Sequence, residues 1–490
     1  VNFVRDVDFC SGVFLMARRV LLNRLGGFDE AFAPAYYEDA DLCVRMAAAG
    51  FRVVYDPAVV VHHLEYGSAS SARGAEAQIG RARQIFADKH ASFIARRPGR
   101  GERSEVFARM ASTAQKRVLL LEDTVPLRLI GSGFVRSNDL VKVMADTGYG
   151  VTVYPLNERG FDPAAIYADM PDSVEVMYDH STSDLARFLT LRQGYYDVIW
   201  IARTHNLAVV RPIMEQVADA SGVRPLVVLD TEAIASLREA EQAALTGQTF
   251  DVDAAIGQEL QHAAFADKIV AVTAAEAATI CDRGFANVSV IGHMRALSPT
   301  PRPFSQRMGM LFVGAIHRMD SPNYDSLCWF IDAVLPLIEQ ELGWQTRLTV
   351  AGYTGPDVTL DRFRDHPRVT LRGAIPDLQP LYDSYRVFVA PTRFAAGTPY
   401  KVYEAASFGL PVVATELLGA QLGWEDDRDL LSAGIADPAA FARQVIALQR
   451  DETLWDRLRT AALERLRQEN SYEAYREAIV HVLGAPHLIA

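Results

Sequence analysis

Residues Pro391–Glu416 read PTRFAAGTPYKVYEAASFGLPVVATE, and the way this stretch divides decides the fold. Thr398 is a good N-cap, Pro399 fits the first helical position, and Gly409 with Pro411 behind it closes a helix of roughly ten residues. The apolar run LPVVAT that follows has strand length, so a helix feeds a buried strand. Lys401 falls in the first turn, where the macrodipole repels a cation. Lys401 three residues before Glu404 is also the weaker orientation for a helical ion pair. That charge order predicts an anion near the helix start. Gly397 lets a ligand approach the backbone, and the free N–H groups there receive phosphate oxygens. Lys401 adds a positive charge, and Glu404, one turn on, accepts hydrogen bonds from vicinal ribose hydroxyls. One helix then grips both ends of a nucleotide. The alternative is an ordinary surface helix carrying a Lys401–Glu404 pair.

From Lys116 onward, strand-length apolar runs alternate with helical patterns: RVLLLED, VTVYPL, YDVIWIA, PLVVLD, KIVAVT, VSVIG, GMLFVGA, RLTVAG, VFVAPT and LPVVAT. Buried runs separated by amphipathic helices predict parallel sheets, here two doubly wound α/β domains over 116–294 and 308–470. The Pro-rich RALSPTPRPFSQR falls between the sixth and seventh runs and reads as a linker, 295–307. The cleft between the domains is the expected ligand site. Residues 1–66 differ: GGFDEAFAPAYYEDADLCVRMAAAGFRVVYDPAVVVHH places an acidic cluster before a short helix and a strand. Residues 67–115 are Ala/Arg-rich and helical in pattern, broken at Pro98 and Gly99, and read as a connector.

A chain of 490 residues, 50% hydrophobic, builds full cores and about three domains. Its net charge of -12 argues against a general nucleic-acid binder, which needs a basic surface. Cys10, Cys43, Cys281 and Cys328 lie far apart with no C-x-x-C pair, so no zinc site or disulfide framework is signalled and a reducing cytosol fits. No apolar run reaches the roughly 18 to 20 residues of a membrane span, and the start VNFVRDVDFC lacks a signal-peptide layout. Because it opens on Val1, the chain is expected to be a piece of a longer protein.

GTPYKVYEAASFGLPVVAT, through Gly397, Lys401, Glu404, Gly409 and Pro411, resembles the signature of retaining glycosyltransferases of the GT-B fold, in particular glycosyltransferase family 4. The resemblance runs from about Lys116 to Leu483. Many members carry another Glu eight positions before the last; this chain has Ala396 there, which puts the usual carboxylate contact to the transferred sugar in doubt. The resemblance implies that Gly314, in GMLFVGA, passes close to the donor phosphates, that Thr398 and Gly397 belong to the donor site, and that Arg318 offers a second positive charge. It also implies that IGSGFVRSND is the glycine loop facing donor and acceptor, with Gly133 at the donor. In ARTHNLA and VVLDTEAIASLRE it places His205 against the transferred sugar and Asp230 or Arg238 in the cleft wall. SYEAYREAIVHVL, in 471–490, resembles the helix that crosses back to the N-terminal domain.

YYEDADLCVRMAAAGFRVVYDPAVVVHH is similar to the E-D-x-D-L-x-x-R segment of glycosyltransferase family 2, of the GT-A fold, in its acceptor half. That resemblance implies Asp39 or Glu38 as the base that takes the acceptor's proton, and His62 or His63 as a metal ligand. The nucleotide-binding half with its D-x-D site is absent, so this domain is not expected to catalyse alone. Together the two resemblances imply a bifunctional bacterial glycosyltransferase acting in the cytoplasm or at the inner membrane face. Its GT-B part would move a sugar from a nucleoside diphosphate sugar to a glycan or lipid-linked saccharide. No cofactor is required there, whereas a complete GT-A domain would use Mg or Mn. The alternatives are a sugar-nucleotide epimerase on the same fold and an inactive glycan-binding scaffold.

Overall fold

The computed structural model describes residues 2–62, 72–97, 106, 115–157, 160–218, 224–343 and 347–486. Residues 2–62 hold a two-stranded antiparallel pair, β1 (Arg5–Asp6) and β2 (Val54–Tyr55), and the helix Glu38–Ala48. The connector helix Ala72–Lys89 packs back on that piece through a buried carboxylate. Asp41 takes Arg45 at 2.8 Å and both Lys89 and His90 at 2.7 Å. The break expected at Pro98 and Gly99 lies outside the described residues.

A seven-stranded parallel sheet follows: β3 (Arg117–Glu122), β4 (Gly150–Pro155), β5 (Glu175–Val176), β6 (Val198–Ala202), β7 (Leu226–Asp230), β8 (Lys268–Ala271) and β9 (Val288–Val290). Its order is β5-β4-β3-β6-β7-β8-β9. The second parallel sheet comprises β10 (Met310–Val313), β11 (Leu348–Ala351), β12 (Val369–Gly373), β13 (Val387–Ala390), β14 (Val412–Thr415) and β15 (Leu431–Ala433), in the order β12-β11-β10-β13-β14-β15. All ten apolar runs form strands. The sequence missed β5, β12 and β15, which lie at sheet edges; an edge strand is covered less completely and needs no continuous apolar run. The strand order reverses between β3 and β6 in one sheet and between β10 and β13 in the other, which places both switch points at the facing strand ends.

The chain crosses back at its last helix. Glu452–Glu469 packs Trp455 and Leu458 into the second domain's core, whereas Tyr472–Leu483 buries Tyr475, Ile479, Val482 and Leu483 in the core of the first. Arg295 N bonds Asn470 O at 2.8 Å, so linker and crossover run side by side. The end of the crossing helix is held at the start of the first sheet. Lys116 Nζ donates to Leu483 O, Lys268 Nζ to Val482 O at 2.6 Å, and Tyr149 Oη to Gly484 O at 2.5 Å. These contacts satisfy carbonyls that a helix end leaves free. The N-terminal piece meets the same domain through Val4 N and Asp172 O at 2.7 Å. Among the described residues no helix is long and apolar enough to cross a membrane.

Candidate active site

On the second domain, the site is built around the helix Tyr400–Ser407. Its N-cap position is Pro399, not Thr398, because Pro399 itself stays out of helical geometry at ψ 76. The helix is 8 residues long, slightly shorter than the sequence suggests, and the Thr398 hydroxyl is buried with no hydrogen-bond partner among the described residues. Lys401 remains in the first turn. Its Nζ donates to Asn323 Oδ1 at 2.5 Å and to Thr392 Oγ1 at 3.3 Å, and lies 5.1 Å from the Phe312 ring centre. Glu404 points elsewhere: it accepts from Tyr382 Oη at 2.9 Å and pairs with Arg295 at 3.5 Å. The surface-pair alternative thus fails, since Lys401 and Glu404 do not meet. Lys401 has only neutral oxygens for partners, and burial pulls its ammonium down to about 8.

Gly314 stands beside Lys401 through Asn323. A Cβ on Gly314 would lie 2.7 Å from Asn323 Nδ2, which bonds Ala315 O at 2.8 Å. Asn323 thereby ties the turn after β10 to the lysine. Sequence reasoning passed over Asn323; its signal was the Ser321–Pro322 start of the helix Pro322–Trp329, which follows the glycine turn. Arg318 is not drawn in: its side chain is 76% exposed and pairs with Asp320 at 2.5 Å.

Gly397 has φ +72, but what approaches it is protein. A Cβ there would sit 3.0 Å from Ala233 Cβ and 3.2 Å from Glu232 O of the first domain. Gly397→Ala should lose about 1–2 kcal/mol from the left-handed backbone alone, with more from the domain contact. A calorimetric unfolding midpoint equal to the native one would remove this glycine from the domain seam.

Across the cleft, the ends of β3, β6 and β7 hold a cluster of charges. His205 Nε2 meets Asp123 Oδ1 at 2.8 Å with the imidazole mostly exposed, and this bond raises the histidine above its usual range. Arg203, at φ +71, bonds Glu122 at 2.9 Å and the carbonyl of Gly133 at 3.0 Å, fastening the glycine loop to β6. Beneath lies Arg136, 1% exposed, which reaches Asp230 at 2.8 Å and Glu232 at 2.7 Å. Asp230 is fully buried and also accepts from Trp200 Nε1 at 3.1 Å, so it is an internal anchor and not the cleft wall expected of it. Arg238 is exposed. Nothing local in the sequence marks Arg136, Glu122 or Glu232 as partners, because their contacts span 94 to 96 residues or cross between strands. The unbroken polar run Arg136, Ser137, Asn138 and Asp139 after the glycine loop was the available clue, and the structure buries all four.

The family described as "Glycosyl transferases group 1" matches residues 308–451, and "Glycosyltransferase like family 2" matches residues 3–87. The two matches fall on separate stretches of the chain and both are to glycosyltransferase families. Sucrose-phosphate synthase from Thermosynechococcus elongatus superposes with a TM-score of 0.57 at 15% identity, over 75% of this chain and 98% of that one. Anabaena HepE, solved in complex with UDP and glucose, gives 0.54 at 14%, over 75% and 99%. At such identities the likeness speaks for the fold, which is GT-B. Rhamnosyltransferase WbbL from Escherichia coli K12 is 38% identical over 65 residues, 13% of this chain and 24% of its own length. An N-acetylglucosaminyl-diphospho-decaprenol L-rhamnosyltransferase from Mycobacterium tuberculosis is 36% identical over 91 residues, 18% of this chain and 29% of its own. The chain thus spans about a quarter of the length of the curated relatives it matches.

In the family 2 part, Asp39 accepts from Gly12 N and Ala40 N, each at 2.7 Å, so both oxygens brace the local backbone. Glu38 keeps one buried oxygen without a partner among the described residues. His62 is exposed and His63 lies outside the described residues. No group of three His, Cys, Asp or Glu side chains among the described residues is placed to hold a metal. The E-D-x-D segment's last carboxylate, Asp41, is the anchor of the connector helix, a role the sequence did not announce.

Proposed function

We propose that the GT-B part transfers a sugar from a nucleoside diphosphate sugar to a glycan or lipid-linked saccharide, with retention at the anomeric carbon. The observation that carries this reading is Lys401: a half-buried ammonium with no carboxylate partner among the described residues, in the first turn of a helix. A cation enclosed without a counter-charge, at the positive end of a helix dipole, is matched to an anion brought by the substrate. The C–O bond between the sugar and the diphosphate breaks as the acceptor hydroxyl adds to the anomeric carbon. Lys401 and the helix start take up the charge that gathers on the departing diphosphate. A diphosphate oxygen receives the acceptor's proton, so no side-chain base is required. Glu404 receives the ribose hydroxyls, and His205 with Asp123 faces the sugar side. One of the GT-B neighbours was solved with UDP and glucose, which supports a nucleotide-sugar donor. Cytoplasmic action, at the inner face of a membrane when the acceptor is lipid-linked, follows from the same reading.

Calorimetric titration with UDP, GDP and dTDP, together with slow release of nucleoside diphosphate from the matching sugar nucleotide, tests the proposal. Failure of all three nucleotides to bind would overturn it, and an altered sugar nucleotide in place of release would favour an epimerase. Because this apparatus is an ammonium and backbone dipoles, nucleotide affinity should be the same in EDTA and in Asp39→Asn. A severalfold loss under either condition would move the donor site into the family 2 part.

A further inference from the structure

Glu404 stands between two donors that come from different elements. Tyr382, on the helix Gln379–Ser384, gives its hydroxyl to Oε2 at 2.9 Å, and the Arg295 guanidinium lies 3.5 Å from Oε1. These are its side-chain partners among the described residues. A carboxylate has about four acceptor positions, two on each oxygen, so one stays open on each side. The open positions sit on adjacent oxygens, as two vicinal hydroxyls require. The side chain is 19% exposed, so a ligand can reach it.

Arg295 does not belong to the helix that carries Glu404. It lies in the stretch that leads from β9 of the first domain to β10 of the second, and its guanidinium runs along one face of the helix Tyr400–Ser407. Nη1 donates to Tyr400 Oη at 2.7 Å, Nη2 pairs with Glu404, and Nε donates to Ser407 Oγ at 2.9 Å. Positions 400, 404 and 407 follow one another at helical spacing, so one planar group gathers side chains from two turns. The guanidinium carbon lies 5.6 Å from the Tyr400 ring centre and 5.3 Å from that of Phe408. Phe408 in turn stacks on Tyr382 at 4.7 Å and 11°, so both donors to Glu404 share one packing unit. The main chain is tied down as well: Arg295 N donates to Asn470 O at 2.8 Å, Ser298 N to Ser407 O at 3.0 Å and Thr300 N to Phe408 O at 2.9 Å.

All three guanidinium nitrogens are turned to the helix, so Arg295 reaches a ligand through Glu404 and not by touching it. We infer that Arg295 is a positioning residue, which holds Glu404 in the orientation that meets the ribose and so ties nucleoside recognition to the linker between the domains. The inference rests on the reading of Glu404 as the acceptor of the ribose hydroxyls. Lys401 is placed differently: its partners Asn323 and Thr392 both belong to the second domain. The two ends of a nucleotide are then gripped under separate control. A shift of the linker loosens the nucleoside end and leaves the phosphate end in place.

The test is calorimetric titration of the full chain with inorganic pyrophosphate and with UDP, GDP and dTDP. Pyrophosphate reaches only the lysine and the helix start, whereas a nucleotide also reaches Glu404. Arg295→Gln should weaken the tightest-binding nucleotide by about tenfold and change pyrophosphate by less than about twofold. Arg295→Lys, which keeps the charge, should recover part of that loss. Tyr400→Phe removes only the acceptor of Nη1 and should show a smaller loss, again confined to the nucleotide, which decides the matter should Arg295→Gln fail to fold. Glu404→Gln should cost far less in the Arg295→Gln chain than in the native one, because both act through one carboxylate. Additive losses, or equal losses for pyrophosphate and nucleotide, would overturn the inference while leaving Glu404 in the donor site. Absence of nucleotide binding, or a nucleotide affinity that Glu404→Gln does not move in the native chain, would instead take Glu404 out of that site and the inference with it.

Discussion

Lys401→Met is expected to lower affinity for whichever of UDP, GDP and dTDP binds by one to two orders of magnitude and to make the unliganded protein more stable. The loss follows from removing a charge-assisted contact of about 1.5–3 kcal/mol. The gain follows from the ammonium's position. In the folded protein burial holds Lys401 down to about 8, from an ordinary 10.5, so the unfolded chain binds its proton more tightly. Stability therefore carries a penalty that is fully present below pH 8 and is relieved as the pH rises from about 8 to 10.5. The methionine variant escapes it. At pH 7 we expect a gain of about 1 kcal/mol, after discounting for the residue's partial exposure and for the lost Asn323 bond. Affinity of the native protein for that nucleotide should fall as the pH rises through 8, while that of the variant stays flat. Equal calorimetric affinities for native and variant at pH 7 would take the helix out of the donor site.

Arg136→Met should be the most damaging single change to the first domain, costing about 3–5 kcal/mol. The guanidinium is enclosed with Asp230 and Glu232, and its Nε also donates to Ile291 O at 2.9 Å. Removing it leaves two buried carboxylates without their cation, and the nearby Glu122 is itself already pushed up by burial. In the variant these groups protonate more readily in the folded state than in the unfolded one. Its deficit should then shrink as the pH falls from 8 to 5. Adding Asp230→Asn should recover part of the loss at pH 8, because it removes one of the unmatched charges. A thermal midpoint within a degree or two of the native value would show that the cluster contributes nothing to the fold.

The strands and the cleft were legible because burial on both faces forces Val, Ile and Leu into unbroken runs, as in β3 and β6. The lysine was legible because its position offends a local rule, and local rules act within a turn. What the sequence could not show depends on the far side of the cleft. Gly397 looked like room for a ligand and instead admits Glu232 and Ala233, a contact set by how the two domains meet. Asp230 looked like a cleft residue at a strand end, but Arg136 draws it inward. Thr398 looked like a cap, yet Pro399 at ψ 76 moves the helix start one residue on. The first two misses are pairings between positions distant in the chain, which no period or propensity encodes, whereas the third turns on the backbone angle of one residue.

The clamp of Lys116, Lys268 and Tyr149 on the last turn of the crossing helix has an evolutionary reading. It brings the entry and the exit of the two-sheet unit to one spot, at the strand ends opposite the cleft. A polypeptide spliced on at either point leaves from the same patch and does not have to thread past the substrates. Such a unit behaves as a cassette. A neighbouring domain can be gained, exchanged or shed at that junction without rerouting a strand, and the family 2 part is joined on the entry side of it.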